Sequence, residues 1–305
     1  MFHHFHDGKL HNKSEGSLSA DDLYRLIKYI GRKNILNADV FLKKYKAKKL
    51  EKSDTCFTFD DGIKAQFDVA LPVLEDLKIK SFFFINTNIF EKGAGDIEKF
   101  RYFRNNYFDS ANEFYKEFYK EIDGDINLFL NENKKKAEVY KIHDFYSLED
   151  IKFRLLRDFF LSKDEYKNIM FSMIKKKALN EKEFKNLVIN RNDLRKMHSL
   201  GHIIGLHTHN HVLCEKLNYE NQKQEYVTCI SKISEILNIP IDKIISMGHP
   251  FGNYNNDTLK VLKNLNIQIG FRSSFHIDRN MKKINNSPLE IARQDHSIIV
   301  KLMNR

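Results

Sequence analysis

Cysteine is scarce in this 305-residue chain, and Cys56, Cys214 and Cys229 form no C-x-x-C pair. An odd, unpaired set excludes a disulfide framework and favours reduced thiols in a reducing compartment. Cys56 lies within an apolar strand pattern and reads as core. Long apolar runs are missing too: no stretch approaches the roughly 18 uninterrupted apolar residues of a membrane span. The opening M-F-H-H-F-H-D-G-K-L lacks a basic segment followed by an apolar run, so no secretion signal is read there and a cytoplasmic location is expected. No helix-turn-helix, zinc-finger or aromatic ribonucleoprotein motif occurs, so no nucleic-acid partner is expected.

What is present describes a soluble globular protein: 42% hydrophobic and 30% charged residues. The length suits one elaborated domain spanning 1–305. The net charge is +10, with lysines scattered in short runs such as Lys134–Lys136 and Lys175–Lys177. Such runs read as a solvated surface, although basic proteins also meet phosphorylated small molecules.

Along the chain, strand and helix patterns alternate. Residues 19–31 predict a helix capped by Ser19 and closed by Gly31. T-C-F-T-F (55–59) predicts a strand stopped by D-D-G, and 65–77 a helix that Pro72 must bend. S-F-F-F-I-N (81–86) predicts a strand covered on both faces. From 96 to 190 there is no proline, and Lys, Glu, Phe and Tyr recur at helical spacing, as in E-F-Y-K-E-F-Y-K-E-I. This segment reads as a largely helical insertion between the second strand and the histidine motif that follows. The alternation resumes with helices over 192–200, 218–237 and 255–265 and strands over 202–206, 244–247 and 267–271. Two last strands are expected around Ile291 and over Ile298 to Leu302. Alternation of this kind predicts a mainly parallel sheet or barrel.

In parallel α/β folds the functional groups gather at the carboxyl ends of strands. Three such ends are unusual here: T-F-D-D-G (58–62), H-T-H-N-H (207–211) and G-H-P-F-G-N-Y-N (248–255). Adjacent carboxylates Asp60 and Asp61 leave a strand end in different directions, so one can bind a metal while its neighbour accepts a proton. His207 and His211 are spaced i, i+4; a helical turn there turns both rings to one side, with His209 elsewhere. One carboxylate and two imidazoles leave positions open for water and substrate, which suits a catalytic metal better than a structural one.

Together these motifs resemble the polysaccharide deacetylases of the NodB-homology type (carbohydrate esterase family 4). T-F-D-D-G is similar to that family's first motif, H-T-H-N-H to its H-[S/T]-x-x-H, and Pro250, Phe251 and Gly252 to its P-[Y/F]-G. M-F-H-H-F also looks like a first strand common in the family. The resemblance implies a distorted (β/α)7 barrel and metal-dependent hydrolysis of an N-acetyl group from an amino sugar in surface-polysaccharide biosynthesis. It implies Asp60 as general base, with Asp61, His207 and His211 as ligands of one divalent ion, zinc first, with cobalt, nickel, manganese or iron as alternatives. It further implies Arg293 as the arginine that orients Asp60, and a Phe251 backbone N–H at the oxyanion. The sugar is expected to carry a nucleotide or a lipid phosphate in view of the basic charge, and an oligomer is compatible with the sequence.

Two departures stand out. Gly248 replaces a frequent arginine, with His249 beside it as a groove-lining residue or a loop cap. The family's leucine-x-histidine near the end of the barrel is missing, which leaves His296 and His276 as candidate general acids and an N-terminal histidine or His209 as further ones. That gap also supports a second expectation, a sugar-binding or scaffolding protein that has lost turnover. A third, an iron(II) oxygenase triad, gives the Asp60–Asp61 pair no task.

Overall fold

Four consecutive apolar residues fit a strand only where both faces are covered. Phe82–Ile85 form such a strand, β2, and all four are completely buried. In the computed structural model, which describes residues 1–139, 147–273 and 285–303, β2 belongs to a five-stranded parallel sheet. Its order follows the chain: β1 (Thr58–Asp60), β2, β3 (Ile203–Leu206), β4 (Ser246–Gly248) and β5 (Ile269–Phe271). Parallel bridges extend both edges, Phe2 beside Phe59 and Ile291 beside Phe271. The two extensions meet at Met1, whose ammonium donates to the Gln294 carbonyl (2.9 Å) and whose carbonyl accepts from the His296 N–H (3.2 Å). Five strands and two bridged edges make the seven positions of the distorted (β/α) barrel, with the ladder thinned to single residues where it closes.

The connecting helices start where the sequence supplies caps. Ser19 and Asp22 form a reciprocal capping box on α1 (Ala20–Ile30), which buries Leu23, Leu26 and Ile27. Asn190 caps α2 (Arg191–Ser199), Asn218 caps α3 (Tyr219–Leu237), and Asn255 caps α4 (Asn256–Asn264). The helix expected over 65–77 is divided into a wide π turn, Gln66–Ala70, and a short α-helix, Leu71–Asp76, whose first turn holds Pro72. Proline cannot donate inside a helix and crowds the carbonyl four residues back, so the backbone widens just before it.

Two expected strands are corrected. Thr55 only bridges Ile35, and the ladder proper starts at Thr58. Residues 298–302 are not a strand; they lie in α5 (His296–Met303). The β-branched run I-I-V suggests a strand locally, but the ring is already closed by Ile291 and Met1. Asp295 Oδ1 accepts the Ser297 N–H at 2.9 Å and starts a helix instead.

The chain divides into two compact units, of which the barrel comprises Met1–His11, Ser17–Gly93 and Val188–Arg305. The other, Asn12–Gly16 with Ala94–Leu187, is helical, and its core is aromatic. The i, i+4 spacing of Phe114 and Phe118 puts both on one face of the helix Ala111–Lys120. Both rings pack edge-on to Phe153, at 5.5 and 5.0 Å, and all three are buried. These aromatics are core, not a sugar platform. No helix of the described residues is long and apolar enough to cross a membrane.

Candidate metal and catalytic site

At the carboxyl end of β1 the chain must turn at once. Asp61 and Gly62 both take left-handed backbone, φ 78° and 68°. The positive φ favours glycine at 62, and a Cβ there would also press on Ile89 Cδ1 at 2.8 Å. This turn separates the two carboxylates. Asp60 points to Arg293, whose Nη1 and Nη2 donate to its Oδ1 and Oδ2, each at 2.7 Å. Arg293 is fixed in turn by donating from Nε to the Arg272 carbonyl (2.9 Å) and from Nη1 to Thr58 Oγ1 (3.2 Å). Burial pushes the Asp60 carboxyl up, but the guanidinium outweighs it, and the acid lies below its ordinary range. Asp60 is therefore an ionised, oriented carboxylate at neutral pH.

Asp61 points the other way, to the histidines after β3. Its Oδ1 lies 3.2 Å from His207 Nε2 and 3.1 Å from His211 Nε2. The expected helical turn at His207 does not form. Thr208 and His211 both take left-handed backbone, φ 57° and 53°, and an irregular loop brings the two rings to 4.9 Å. Spacing and convergence agree, but the backbone route between them is different. His207 Nδ1 faces the Gly248 carbonyl at 2.8 Å and must be the protonated nitrogen, since a carbonyl only accepts. Its Nε2 is then the lone-pair nitrogen, aimed at a carboxylate.

That arrangement tests whether a cation fits. Asp61 Oδ1 is buried and makes no aligned hydrogen bond although two ring nitrogens stand close by. A buried carboxylate oxygen left in this state is costly. Among the described residues, Asp61, His207 and His211 form the one cluster whose ligand atoms lie within 4.8 Å of one another. Asp61 Oδ1 and the two Nε2 atoms converge as one carboxylate and two imidazoles, a donor set that a divalent cation takes, and the residues fit one. The His207 side chain is almost fully covered, while those of Asp61 and His211 are each 20% exposed, so the cluster opens on one side.

The third strand end contributes shape. A side chain at Gly248 would collide with Phe84 Cδ2 at 2.7 Å, which accounts for the missing arginine. Pro250–Gly252 is a 3-10 turn in which Phe251, at φ 57°, is held 52% exposed with its ring 4.4 Å from that of His211. His249 does not line a groove. It is completely buried, donates from Nε2 to the Leu289 carbonyl at 2.7 Å and stacks on Tyr254 at 4.4 Å. Burial pushes its pKa down to about 3, so the ring is a neutral part of the barrel wall.

Neither candidate acid joins this cluster in the described residues. His276 lies outside them, and His296 is buried with its ring stacked on Phe2 and Nδ1 3.6 Å from Asp295 Oδ1. The histidine brought to Asp60 is His3, with Nε2 3.8 Å from Oδ2 and a side chain 29% exposed. The Phe2–Phe59 bridge and Gln66 hold it there, Gln66 Nε2 donating to the carbonyls of both His3 (2.9 Å) and Asp60 (2.6 Å). Among the histidines of M-F-H-H-F-H, local sequence does not single out His3; the bridge from Phe2 to Phe59, 57 residues away in sequence, does.

A model of the polysaccharide deacetylase family matches residues 160–270, the span that holds His207, His211 and the P-F-G turn. The family this chain resembles is the polysaccharide deacetylases. No curated protein sequence matches it significantly. Among solved structures, it is similar to the deacetylase PplD of Streptococcus pyogenes in complex with acetate, at 15% identity and a TM-score of 0.56, over 96% of this chain and 88% of that one. A de-N-acetylase from Aggregatibacter actinomycetemcomitans matches at 13% identity and a TM-score of 0.53, over 97% and 96%. IcaB from Ammonifex degensii matches at 12% identity and a TM-score of 0.53, over 99% and 93%. At these identities the likeness is one of fold.

Proposed function

We propose that this protein hydrolyses the N-acetyl group of an amino sugar in a surface polysaccharide pathway, with one divalent cation held by Asp61, His207 and His211. The observation that carries the reading is the convergence of those three ligand atoms beside an Asp60 that Arg293 holds ionised. The match to the deacetylase family model and the deacetylase folds around it support the same chemistry. A donor set of two imidazoles and one carboxylate suits zinc first, with cobalt, nickel, iron or manganese as alternatives.

When bound, such a cation polarises the amide carbonyl and lowers the pKa of water from 15.7 to about 7. The residues of the chain divide the remaining work. Asp60 takes a proton from the attacking water as its oxygen adds to the carbonyl carbon. Arg293 keeps that carboxylate in place. The C–N bond then breaks, acetate departs, and the amine takes up a proton. We assign that proton to His3, the histidine beside Asp60 with solvent access. The net charge of +10 fits a sugar carried on phosphate.

Acetate release from a panel of N-acetylated sugars, with zinc or cobalt added, tests the reading. Asp60→Asn is expected to lose about 10²–10⁴-fold in turnover, the usual worth of a positioned proton-transfer group, while retaining its cation. His3→Gln is expected to lose activity mainly on substrates with poor leaving amines. If the wild-type protein binds sugars across the panel and releases no acetate, the scaffolding reading replaces this one.

A further inference from the structure

The loop from His207 to His211 is strained, and something outside it must hold its shape. Thr208 and His211 sit at φ 57° and 53°, each a conformation that costs a non-glycine residue about 1–3 kcal/mol. Two segments grip the apex of the loop. On one side, Asn88 N–H donates to the His209 carbonyl (3.0 Å), Asn88 Nδ2 to Asn210 Oδ1 (2.9 Å), and Thr87 Oγ1 is hydrogen-bonded to His209 Nδ1 (2.9 Å). On the other stands one carboxylate, Glu225, on α3. Its Oε2 accepts the backbone N–H groups of both His209 (3.0 Å) and Asn210 (2.8 Å), and its Oε1 accepts the Asn210 side-chain amide at 2.7 Å.

We propose that Glu225 is the positioning residue of the cation site, clamping the loop so that His207 and His211 converge on Asp61; this rests on the metal reading above. Bonds to an ionised acceptor are roughly twice as strong as neutral ones, and three of them fall on two consecutive residues midway between the ligands. His209 then has a purpose without being a ligand. Its N–H, carbonyl and ring are each bound by a different partner, which makes it the peg on which the loop is fixed.

The test uses the full chain and zinc alone, with Glu225→Ala, Glu225→Gln and His207→Ala. Zinc affinity is read by competition with a chromophoric chelator, and backbone hydrogen exchange is followed over 207–212 in the metal-free protein. Glu225→Ala is expected to weaken zinc binding about 10–100-fold, the usual cost of losing an outer-shell partner, and to speed exchange in that segment alone. Glu225→Gln keeps one acceptor oxygen and should fall between. If Glu225→Ala does not fold, Glu225→Gln carries the test. Zinc affinity within twofold of wild type in a folded variant, or unchanged exchange over 207–212, overturns the proposal. Should the wild type and His207→Ala bind zinc equally weakly, the metal reading has failed, and the exchange result still decides whether Glu225 holds the loop.

Discussion

Strand β3 carries a histidine at each end, and the two are used in opposite ways. His202 precedes the strand and is fully enclosed. Its Nδ1 accepts the Ser81 N–H at 3.1 Å and its Nε2 lies 3.0 Å from Glu75 Oε1, a carboxylate also paired with Lys80. Both ring nitrogens are satisfied inside the fold. His207 follows the strand and is almost as buried, but only Nδ1 is satisfied, by Gly248. Its Nε2 faces an acceptor that makes no aligned hydrogen bond. Residue type and burial do not separate a wall histidine from a candidate ligand. What the second nitrogen meets does.

The strongest way to break this contrast is to remove each ring. His207→Ala should abolish tight zinc binding and lower acetate release by about 10³-fold or more, the scale of losing transition-state charge stabilisation. His202→Asn should leave one zinc per chain. Zinc content after dialysis decides it, and a His207→Ala protein that still holds one tight cation would sink the ligand assignment. A smaller effect is expected on the neighbouring carboxylate. Arg293→Met leaves Asp60 buried and uncompensated, which typically costs about 3–5 kcal/mol. Urea unfolding at neutral pH should show that loss, and it should shrink in acid as Asp60 takes a proton. A loss below about 1 kcal/mol would mean the pair is solvated and the clamp is not structural.

Much of the carboxyl-end chemistry was legible because it is local. D-D-G, H-T-H-N-H and P-F-G each sit at the end of a strand whose apolar run is readable, and Arg293 follows Ile291 by two residues. The failures have a common physical origin in long-range packing. The turn at Thr208 and His211 is irregular because Glu225 and Asn88 grip it from two other elements. The motif left His249 open between lining a groove and capping a loop, and the Leu289 carbonyl and Tyr254 draw it into the wall. Ile298 to Leu302 had strand-forming residues, but the barrel had no open edge left for them. M-F-H-H-F offered an N-terminal histidine without saying which, and the Phe2–Phe59 bridge with Gln66 brings His3 to Asp60.

The finest test of the wall histidine is thermodynamic. Burial holds the pKa of His202 down at about 4, against the opposing pull of Glu75, and the ordinary value is about 6.5. Below pH 6.5 the unfolded chain takes up a proton on this ring while the folded protein does not. Stability therefore falls as the pH drops from 6.5 to about 4, and this ring adds no further loss below that. At most about 3 kcal/mol is at stake over this window, at 1.36 kcal/mol per pH unit. In His202→Asn the amide oxygen can still accept from Ser81, but nothing titrates and the contact with Glu75 is lost. The variant should thus be less stable than wild type by about 1 kcal/mol near pH 7.5, the net worth of a hydrogen bond. Towards pH 4 the gap should close or reverse, because only the wild type pays for keeping a histidine neutral. Urea titrations of the metal-free proteins across that range would show the two stability curves converging. Parallel curves would mean that His202 takes up its proton in the folded state after all.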